Sequence, residues 1–345
     1  MSSALKFPHI LFTGPLSPGS VTSARVDALR ELGHRVTLLD QRPYFRSSLW
    51  QKIQGRLLVG PAVSRYERHL IALSREARPD LLFIDCGIYL APAAVRTLRA
   101  SCGQVVHYTS DYFEYNAHIY RKLRQAAPYF STHVITNSLN IDILRRWGAP
   151  EPVLTHFGYS PAEHFPVEPT AKQRAQFTAD VAFAGHREPF YEAMLRALKR
   201  AGFTLRIAGS GWVGADFLAP EERVGQTSPE DYRAMIACAH TAPAFLSKWN
   251  RNTAGGRIFE IAAMGGCLVA ERTQEQLGYF ADGREADFFG TADELVTKVR
   301  RLVQDGANRR ALAAAGHRRC LESGYTYRDR MRELIESVTA TVPPA

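Results

Sequence analysis

The sequence predicts an α/β protein made of two similar halves, each with a parallel β-sheet covered by helices. Its 345 residues exceed one average domain and suit two domains of about 150 residues each. In both halves, short apolar runs typical of buried strands alternate with stretches whose apolar residues recur at helical spacing. This alternation builds parallel sheet, because a crossover connection must return the chain to the same end of the sheet. A charged stretch with several prolines, at 160–180, separates the halves.

The first half opens with a strand and a helix whose apolar residues share one face. Val26, Leu29 and Leu32 define that face, and Gly33 is the glycine that commonly follows a helix end. A basic, aromatic-rich stretch at 44–73 predicts two further helices. The strands of this half are predicted at 9–13, 34–40, 81–85, 104–108, 133–137 and 153–156, and its other helices at 21–32, 92–100 and 140–147.

The second half repeats the alternation and ends in charged amphipathic helices. We therefore place the domains at 1–165 and 166–326, followed by a C-terminal helical segment at 327–345. The strands of this half are predicted at 180–184, 204–208, 241–246 and 267–270, and its helices at 190–201, 231–237, 256–264, 292–305, 308–322 and 327–339.

Composition narrows the class of protein and its location. No run of about 18 apolar residues is present, and residues 1–8 lack the segments of a signal peptide, so we expect a cytoplasmic protein. The five cysteines lie apart and form no C-x-x-C pair, which argues against a disulfide framework or a structural zinc site. The net charge of +9 favours anionic partners such as phosphates, anionic lipids or nucleic acid.

Several enzyme signatures are incomplete. Gly14 and Gly19 have the spacing of a phosphate-binding P-loop, but Ser20 stands where the lysine is required. A G-x-G-x-x-G sequence at 209–214 follows a predicted strand, but no acidic residue ends a strand about 20 residues later. No G-x-S-x-G, H-E-x-x-H or D-x-D sequence occurs. The missing D-x-D favours an enzyme that neutralises phosphate charge with helix N-termini, arginine and lysine instead of a metal ion.

The segment 252–270 is the most informative part of the sequence. A loop of small residues leads into a helix, leaving backbone N–H groups and a positive dipole end that suit a diphosphate. Arg257 lies in the first turn and adds positive charge. Glu260 follows on the same helix, where a carboxylate can accept hydrogen bonds from the two hydroxyls of a ribose. The pattern indicates a site for a nucleoside diphosphate.

This segment resembles the donor-site motif of glycosyltransferases of the GT-B fold, and most closely the spore-maturation-protein-like (CgeB-type) branch with its N…R-x-F-E pattern. Residues 180–185, 280–285 and 312–318 continue the resemblance, which is architectural before 180. It implies two Rossmann-like domains that face each other across a cleft, with a C-terminal helix returning to the N-terminal domain. It also implies a hexosyltransferase that takes a sugar from a nucleotide-sugar donor, with UDP favoured. It further implies that the transfer retains the anomeric configuration and needs neither a cofactor nor a metal ion.

The resemblance also implies site residues. Glu260 matches the ribose-binding glutamate, whereas Asn252 stands where the usual motif has a glutamate that contacts the donor sugar. Trp212 has two readings, as a residue that stacks on the base or as packing at the rim of its loop. The predicted donor-binding residues are Gly185, Arg187, Trp212, Lys248, Asn252, Thr253, Gly255, Arg257 and Glu260.

The first half supplies the remaining candidates, because ligands of open α/β sheets collect at the carboxyl ends of strands. Asp111 follows such a strand end and is the predicted catalytic residue. Gly14 and His118 are placed on the acceptor side. The acceptor itself, whether glycan, lipid, protein or small molecule, is not assigned.

Other functions remain open on the sequence. Asn252 suits a non-catalytic protein that binds a sugar nucleotide or a partner on the same scaffold. An epimerase of the same fold would need more clustered carboxylates and histidines. We predict no nucleic-acid partner, because no nucleic-acid motif is present and the basic residues are spread along the chain. The stretch 44–68 fits either peripheral contact with the inner face of a membrane or a wall of the acceptor site.

Overall fold

The computed structural model describes residues 7–17, 19–45 and 47–340, with side chains up to Val338. Contacts between residues divide the chain into two compact units. The first unit consists of the described residues up to His156 together with those from Tyr327 onwards, and the second unit is Phe157–Thr326. This boundary lies somewhat earlier than the predicted end of the first domain at 165. Among the described residues, no helix is both long enough and apolar enough to cross a membrane.

The first unit is a parallel sheet between two layers of helices. Its strands are β1 (His9–Gly14), β2 (Arg35–Asp40), β3 (Leu81–Asp85), β4 (Gln104–Thr109), β5 (Thr132–Ile135) and β6 (Val153–Leu154). Its helices up to β6 are α1 (Val21–Glu31), α2 (Arg42–Phe45), α3 (Leu49–Leu57), α4 (Pro61–Ala77), α5 (Pro92–Arg99), α6 (Arg121–Ala126) and α7 (Asn140–Arg146), with 3-10 turns at Ala117–Tyr120 and Ala127–Tyr129.

The strand order of this sheet is β2-β1-β3-β4-β5-β6, and every pair is parallel. β1, β3, β4 and β5 are buried along their whole length, because helices cover both faces of the sheet. The order reverses between β1 and β3, which leaves a crevice at their carboxyl ends where α/β proteins bind ligands.

The second unit repeats this architecture. Its strands are β7 (Ala179–Ala184), β8 (Leu205–Ala208), β9 (Arg223–Gly225), β10 (Ala239–Ala244), β11 (Leu268–Glu271) and β12 (Asp287–Phe289). Its helices are α8 (Ala171–Phe177), α9 (Pro189–Arg200), α10 (Pro229–Cys238), α11 (Arg257–Ala263), α12 (Gln274–Tyr279), α13 (Ala292–Gln304) and α14 (Gly306–Glu322), with 3-10 turns at Trp212–Gly214 and Pro220–Glu222.

The second sheet has the order β12-β11-β10-β7-β8-β9 and is parallel throughout. Here the order reverses between β7 and β10. The stretch 160–180, predicted as an inter-domain linker, is part of this unit. Tyr159 forms a β-bridge with Thr326, and Thr170 begins α8 through a capping box with Gln173.

The last helix, α15 (Tyr327–Ala340), belongs to the first unit. It packs against α1, and its buried side chains Met331, Leu334 and Val338 join Val26 and Leu29 of α1 in one hydrophobic cluster. The predicted return of the C-terminal helix to the N-terminal unit is therefore confirmed. The predicted fold class, α/β with two Rossmann-like domains that each contain a parallel sheet, is confirmed as well.

Candidate functional site

Glycines let the backbone come together at the carboxyl ends of β7 and β8. Gly209 has a φ of +119°, and a Cβ at this position would lie 2.1 Å from the carbonyl oxygen of Gly185. Gly211 has a φ of +85°, and a Cβ there would lie 3.1 Å from the Cβ of Arg187. Both positions therefore require glycine. The loop 209–214 consequently lies directly against the turn that follows β7.

Trp212 supports this loop from the inside. Its side chain is only 2% exposed and packs edge-on against Phe183, with ring centroids 6.1 Å apart. Its indole N–H donates to the carbonyl oxygen of Gly185 at 2.8 Å. Trp212 also lines a cavity of about 320 Å³ with residues of the same loop and of β9. The buried ring therefore favours the packing role of Trp212, and a contact with the base stays a prediction.

Arg187 and Lys248 bring positive charge to the carboxyl ends of β7 and β10. The Nε of Arg187 donates to Glu192 Oε2 at 2.7 Å, and its side chain is 31% exposed. Lys248 pairs with Glu271, and its Nζ lies 4.2 Å from the ring centre of Phe190. Both cations are therefore partly accessible and already paired with a carboxylate.

A buried carboxylate that the sequence did not single out lies between these elements. Glu188 is 1% exposed and accepts from the backbone N–H of Lys248 at 3.2 Å. The Nε2 of His186 lies 2.8 Å from its other oxygen. Glu188 thus joins the turn after β7 to the loop after β10. Its place next to Arg187, in the turn that follows β7, is the signal that could have marked it.

The loop between β10 and α11 is held by its own polar side chains. The Nδ2 of Asn250 donates to Asn252 Oδ1 at 2.7 Å. Thr253 donates through its hydroxyl to Glu275 at 2.6 Å and accepts at its carbonyl from Thr273 at 2.6 Å. These bonds fix the loop before Gly255, where a Cβ would lie 3.3 Å from a Leu246 methyl carbon.

Glu260 lies at the centre of the site and is 7% exposed. Its Oε2 accepts from the guanidinium of Arg257 and from the hydroxyl of Tyr232, the latter at 3.2 Å. The Nε2 of His164 lies 4.0 Å from the same oxygen. The other oxygen, Oε1, faces Gly256, where an added Cβ would lie only 3.6 Å away. One carboxylate oxygen is thus held by protein groups, and glycine keeps space beside the other.

The charge of Glu260 is stabilised although the residue is buried. Burial raises the pKa of this carboxyl, but Arg257, His164 and the hydrogen bonds from Arg257 and Tyr232 outweigh it and leave the pKa below its ordinary value. The guanidinium of Arg257 also lies over the ring of Tyr232, 4.9 Å from its centre. At neutral pH the site therefore presents an ionised carboxylate, which accepts hydrogen bonds.

His164 and Tyr232 were not predicted from the sequence. His164 comes from the stretch read as a linker, where its Nδ1 accepts from the backbone N–H of Ser160 at 3.1 Å. Tyr232 lies on α10 with no motif around it. Both meet Glu260 only through the fold.

In the first unit, Gly14 lies at the reversal of strand order. A Cβ there would lie 2.9 Å from the Cβ of Asp85. Asp85 forms an ion pair with Arg25 at 2.6 Å and accepts from the hydroxyl of Thr22 at 2.7 Å, with both charged side chains nearly fully buried. This network was not predicted from the sequence. Its signal is an aspartate that ends a buried strand.

Asp111 lies one strand further along the same edge. Its Oδ2 accepts from the hydroxyl of Tyr120 at 3.2 Å, and its backbone carbonyl accepts from Asn140 at 2.7 Å. Burial raises the pKa of Asp111, the Tyr120 hydrogen bond opposes this, and the charge of Asp85 adds to it, so that the net shift is upward. His118 is exposed on the 3-10 turn Ala117–Tyr120, whose Tyr120 makes the contact with Asp111.

Within the described residues, no three His, Cys, Asp or Glu side chains are grouped closely enough to hold a metal ion.

Comparison with known proteins gives a family match for part of the chain. Residues 187–336 match the family described as glycosyl transferase-like. No curated protein matches the sequence.

Solved structures match nearly the whole chain. Sucrose-phosphate synthase from Thermosynechococcus elongatus superposes with a TM-score of 0.67 at 14% identity, covering 97% of this chain and 100% of that one. HepE of Anabaena, solved with UDP and glucose, gives 0.64 at 13% identity and coverages of 96% and 99%. A trehalose-phosphate synthase from Burkholderia xenovorans, solved with glucose-6-phosphate, gives 0.63 at 13% identity and coverages of 95% and 100%.

The fold is that of GT-B glycosyltransferases. At these identities the structural likeness establishes the fold alone, and the glycosyl transferase-like match over 187–336 adds the class of enzyme. The predicted enzyme class, a glycosyltransferase, is confirmed at this level.

Proposed function

We propose that this protein transfers a sugar from a nucleoside diphosphate sugar, preferably a UDP-sugar, to an acceptor, without a metal ion. The observation that carries the proposal is the Glu260 carboxylate, which is buried, ionised and held through one oxygen. Its Oε1, beside Gly256, is the acceptor for the ribose hydroxyls. HepE, which has the same fold, has been solved with UDP-glucose, which favours uridine as the base.

The diphosphate takes its countercharge from Arg187, Lys248 and Arg257. The first two form partly exposed ion pairs with Glu192 and Glu271. Exchanging such a pair for a phosphate contact costs little, because exposed pairs contribute only about 0–1 kcal/mol. Stabilisation of the leaving diphosphate by fixed cations is a main source of rate enhancement in group transfer. These cations neutralise the diphosphate, as a metal ion does in enzymes with a D-x-D motif.

The donor-sugar contact differs from the usual motif. Asn252 provides an amide where a carboxylate is usual, and the side chain of Asn250 already donates to its Oδ1. We propose that this protein belongs to the CgeB-type branch, whose N…R-x-F-E pattern it shares at Asn252, Arg257, Phe259 and Glu260. Retention of anomeric configuration follows from that assignment.

On the acceptor side we propose Asp111 as the residue that takes the acceptor's proton. Its raised pKa suits a general base better than an ordinary aspartate, because proton transfer is most efficient when the pKa lies closer to the working pH. Tyr120 orients its carboxylate. Gly14, which we place on the acceptor side, lets Asp85 pack directly against the backbone at the end of β1.

Calorimetry with UDP, GDP, ADP and dTDP tests the donor site. Glu260→Gln removes the charge at constant shape, and we expect at least about tenfold weaker UDP binding, since hydrogen bonds to charged groups contribute about 1.5–3 kcal/mol each. Glu230→Gln, at an exposed position on α10, is the matched control and should bind as wild type. If no nucleotide binds, or if Glu260→Gln binds UDP unchanged, the site assignment is wrong.

A second function, binding of a sugar nucleotide without turnover, is favoured by one observation, the amide of Asn252. Slow hydrolysis of bound UDP-glucose separates the two functions. Release of glucose above the rate in buffer, lost in Asp111→Asn or Arg187→Met, supports the transferase. Tight UDP binding with no release from any UDP-hexose supports the binding protein.

We further propose that the protein works in the cytoplasm and touches the inner face of a membrane through residues 44–68.

A further inference from the structure

Helix α3 presents its apolar side chains to solvent. None of its residues is buried. Leu49 and Trp50 are each 73% exposed, Leu57 is 57% exposed and Ile53 is 38% exposed. At 3.6 residues per turn these four side chains stand within an arc of about 100°. We call them the α3 outer face. A contiguous group of large exposed apolar side chains marks an interaction surface.

The polar side of α3 faces the protein instead. The Nε2 of Gln51 donates to the carbonyl of Pro43 at 3.2 Å, and Gln54 accepts from the backbone N–H of Ala62 at 2.8 Å. Gly55 packs against Phe45, with an added Cβ only 3.4 Å from its side chain. The helix is thus amphipathic, but its apolar side faces solvent and its polar side faces the protein, which is the opposite of an ordinary surface helix. Folding of the first unit does not explain the α3 outer face, and an external partner does.

The charged residues of α3 and of the chain on either side of it are all positive. From residue 41 to residue 66 the sequence contains no aspartate or glutamate and several arginines and lysines. Lys52 and Arg56 are exposed on α3, on the flank of its outer face. Arg121 is also exposed and reaches the end of the helix, where it donates to the carbonyl of Leu57 at 2.7 Å. The surface therefore combines an apolar stripe with a border of positive charge.

We infer that the α3 outer face inserts into the headgroup region of a bilayer that contains anionic lipids. An interfacial helix has this composition, with Trp and Leu on one side and Lys or Arg beside them. A second copy of this chain fits less well. A two-fold contact through the same face would bring Lys52 and Arg56 towards their own counterparts. The partner is thus a surface that is apolar inside and negative at its border.

This inference rests on the proposed membrane contact of residues 44–68 and names its element, its side chains and the lipid charge. It is independent of the donor site, because α3 belongs to the first unit and Glu260 to the second. Nucleotide calorimetry therefore tests the proposed transferase, and lipid binding tests this surface.

Vesicle sedimentation measures the contact directly. We expect the whole chain to bind vesicles of phosphatidylcholine with phosphatidylglycerol, and to bind pure phosphatidylcholine much more weakly. Trp50→Ala with Ile53→Ala should weaken binding by at least about tenfold, because insertion of each large side chain is lost. Lys52→Gln and Arg56→Gln should each cost about fivefold on anionic vesicles, and this loss should disappear at high salt.

Two controls keep the result interpretable. Val213→Ala changes a side chain that is 87% exposed in the second unit, and it should leave vesicle binding unchanged. Every variant should keep the wild-type melting temperature and affinity for UDP, since the altered side chains are exposed. Absence of binding to anionic vesicles overturns the inference. Equal binding to neutral vesicles overturns the anionic part. A dimer that Trp50→Ala dissociates, without lipid binding, replaces the membrane with a second copy.

Discussion

Arg257→Met isolates the ion pair at the centre of the donor site. The variant keeps an unbranched aliphatic side chain at this position and removes both the guanidinium over Tyr232 and the cation that offsets the burial of Glu260. Removing one partner of a fully buried pair costs about 3–5 kcal/mol. Because the Arg257 side chain is 43% exposed, the solvent-screened loss should be smaller, about 2 kcal/mol of unfolding free energy.

A double-mutant cycle with Glu260→Gln measures this interaction. In the double variant no buried charge is left unpaired, so we expect it to regain most of the stability lost in Arg257→Met. Urea unfolding followed by fluorescence provides the four free energies. Additive effects, within about 0.5 kcal/mol, would show that the two side chains do not stabilise each other.

The pH dependence of the coupling energy provides a second test with the same double-mutant cycle. The folded-state pKa of Glu260 is below its ordinary value of 4.5, so the unfolded chain takes up the proton first. The stabilisation is therefore complete above about that value and is lost as pH falls through the folded-state pKa. We expect the coupling energy to shrink in acid, and a coupling that persists unchanged would contradict an ionised Glu260.

Two further perturbations test the scaffold of each unit. Gly209→Ala should destabilise the second unit by several kcal/mol in thermal or urea unfolding, because its Cβ would overlap the Gly185 carbonyl. Gly202→Ala is the control. Gly202 also has a positive φ, of +93°, but a Cβ there would meet nothing within 4 Å, so the substitution should cost only about 1 kcal/mol. Equal losses would contradict the close approach. In the first unit, His107 and His133 share a buried contact at 2.9 Å, and burial lowers the pKa of both, that of His133 to about 4. Protonation therefore favours the unfolded chain, so stability should fall as pH drops below 6.5 towards 4, and His133→Leu should flatten this slope in unfolding at several pH values.

The sequence predicts the architecture well because its signal is local. Buried parallel strands read as short apolar runs, and the helices between them show their spacing directly. The elements that escaped prediction are short. β9 (Arg223–Gly225) and β12 (Asp287–Phe289) have three residues each, too few to show a period. The prolines and charges of the stretch 160–180 predict a linker, because α8, with its capping box at Thr170, is too short to show a helical period.

The donor site was predictable only in part. Arg257 and Glu260 stand one helical turn apart, so their contact can be read from the sequence. Tyr232 and His164 reach Glu260 from distant segments, and nothing near them in the sequence indicates this. Trp212 lies in a glycine-rich loop, where the sequence allows either an exposed or a packed ring, and only the structure shows that the ring is buried. The burial of Trp212 and the partners of Glu260 depend on contacts between residues far apart in the sequence. Such contacts could not be predicted from the sequence alone.

A structure with bound UDP shows directly whether Glu260 binds the ribose of the donor. We expect the ribose hydroxyls within hydrogen-bonding distance of Glu260 Oε1, and the diphosphate against Arg187, Lys248 or Arg257. Tyr232 should keep its contact with Oε2. UDP bound away from Glu260, or a ribose that does not touch this carboxylate, would show that the donor site lies elsewhere.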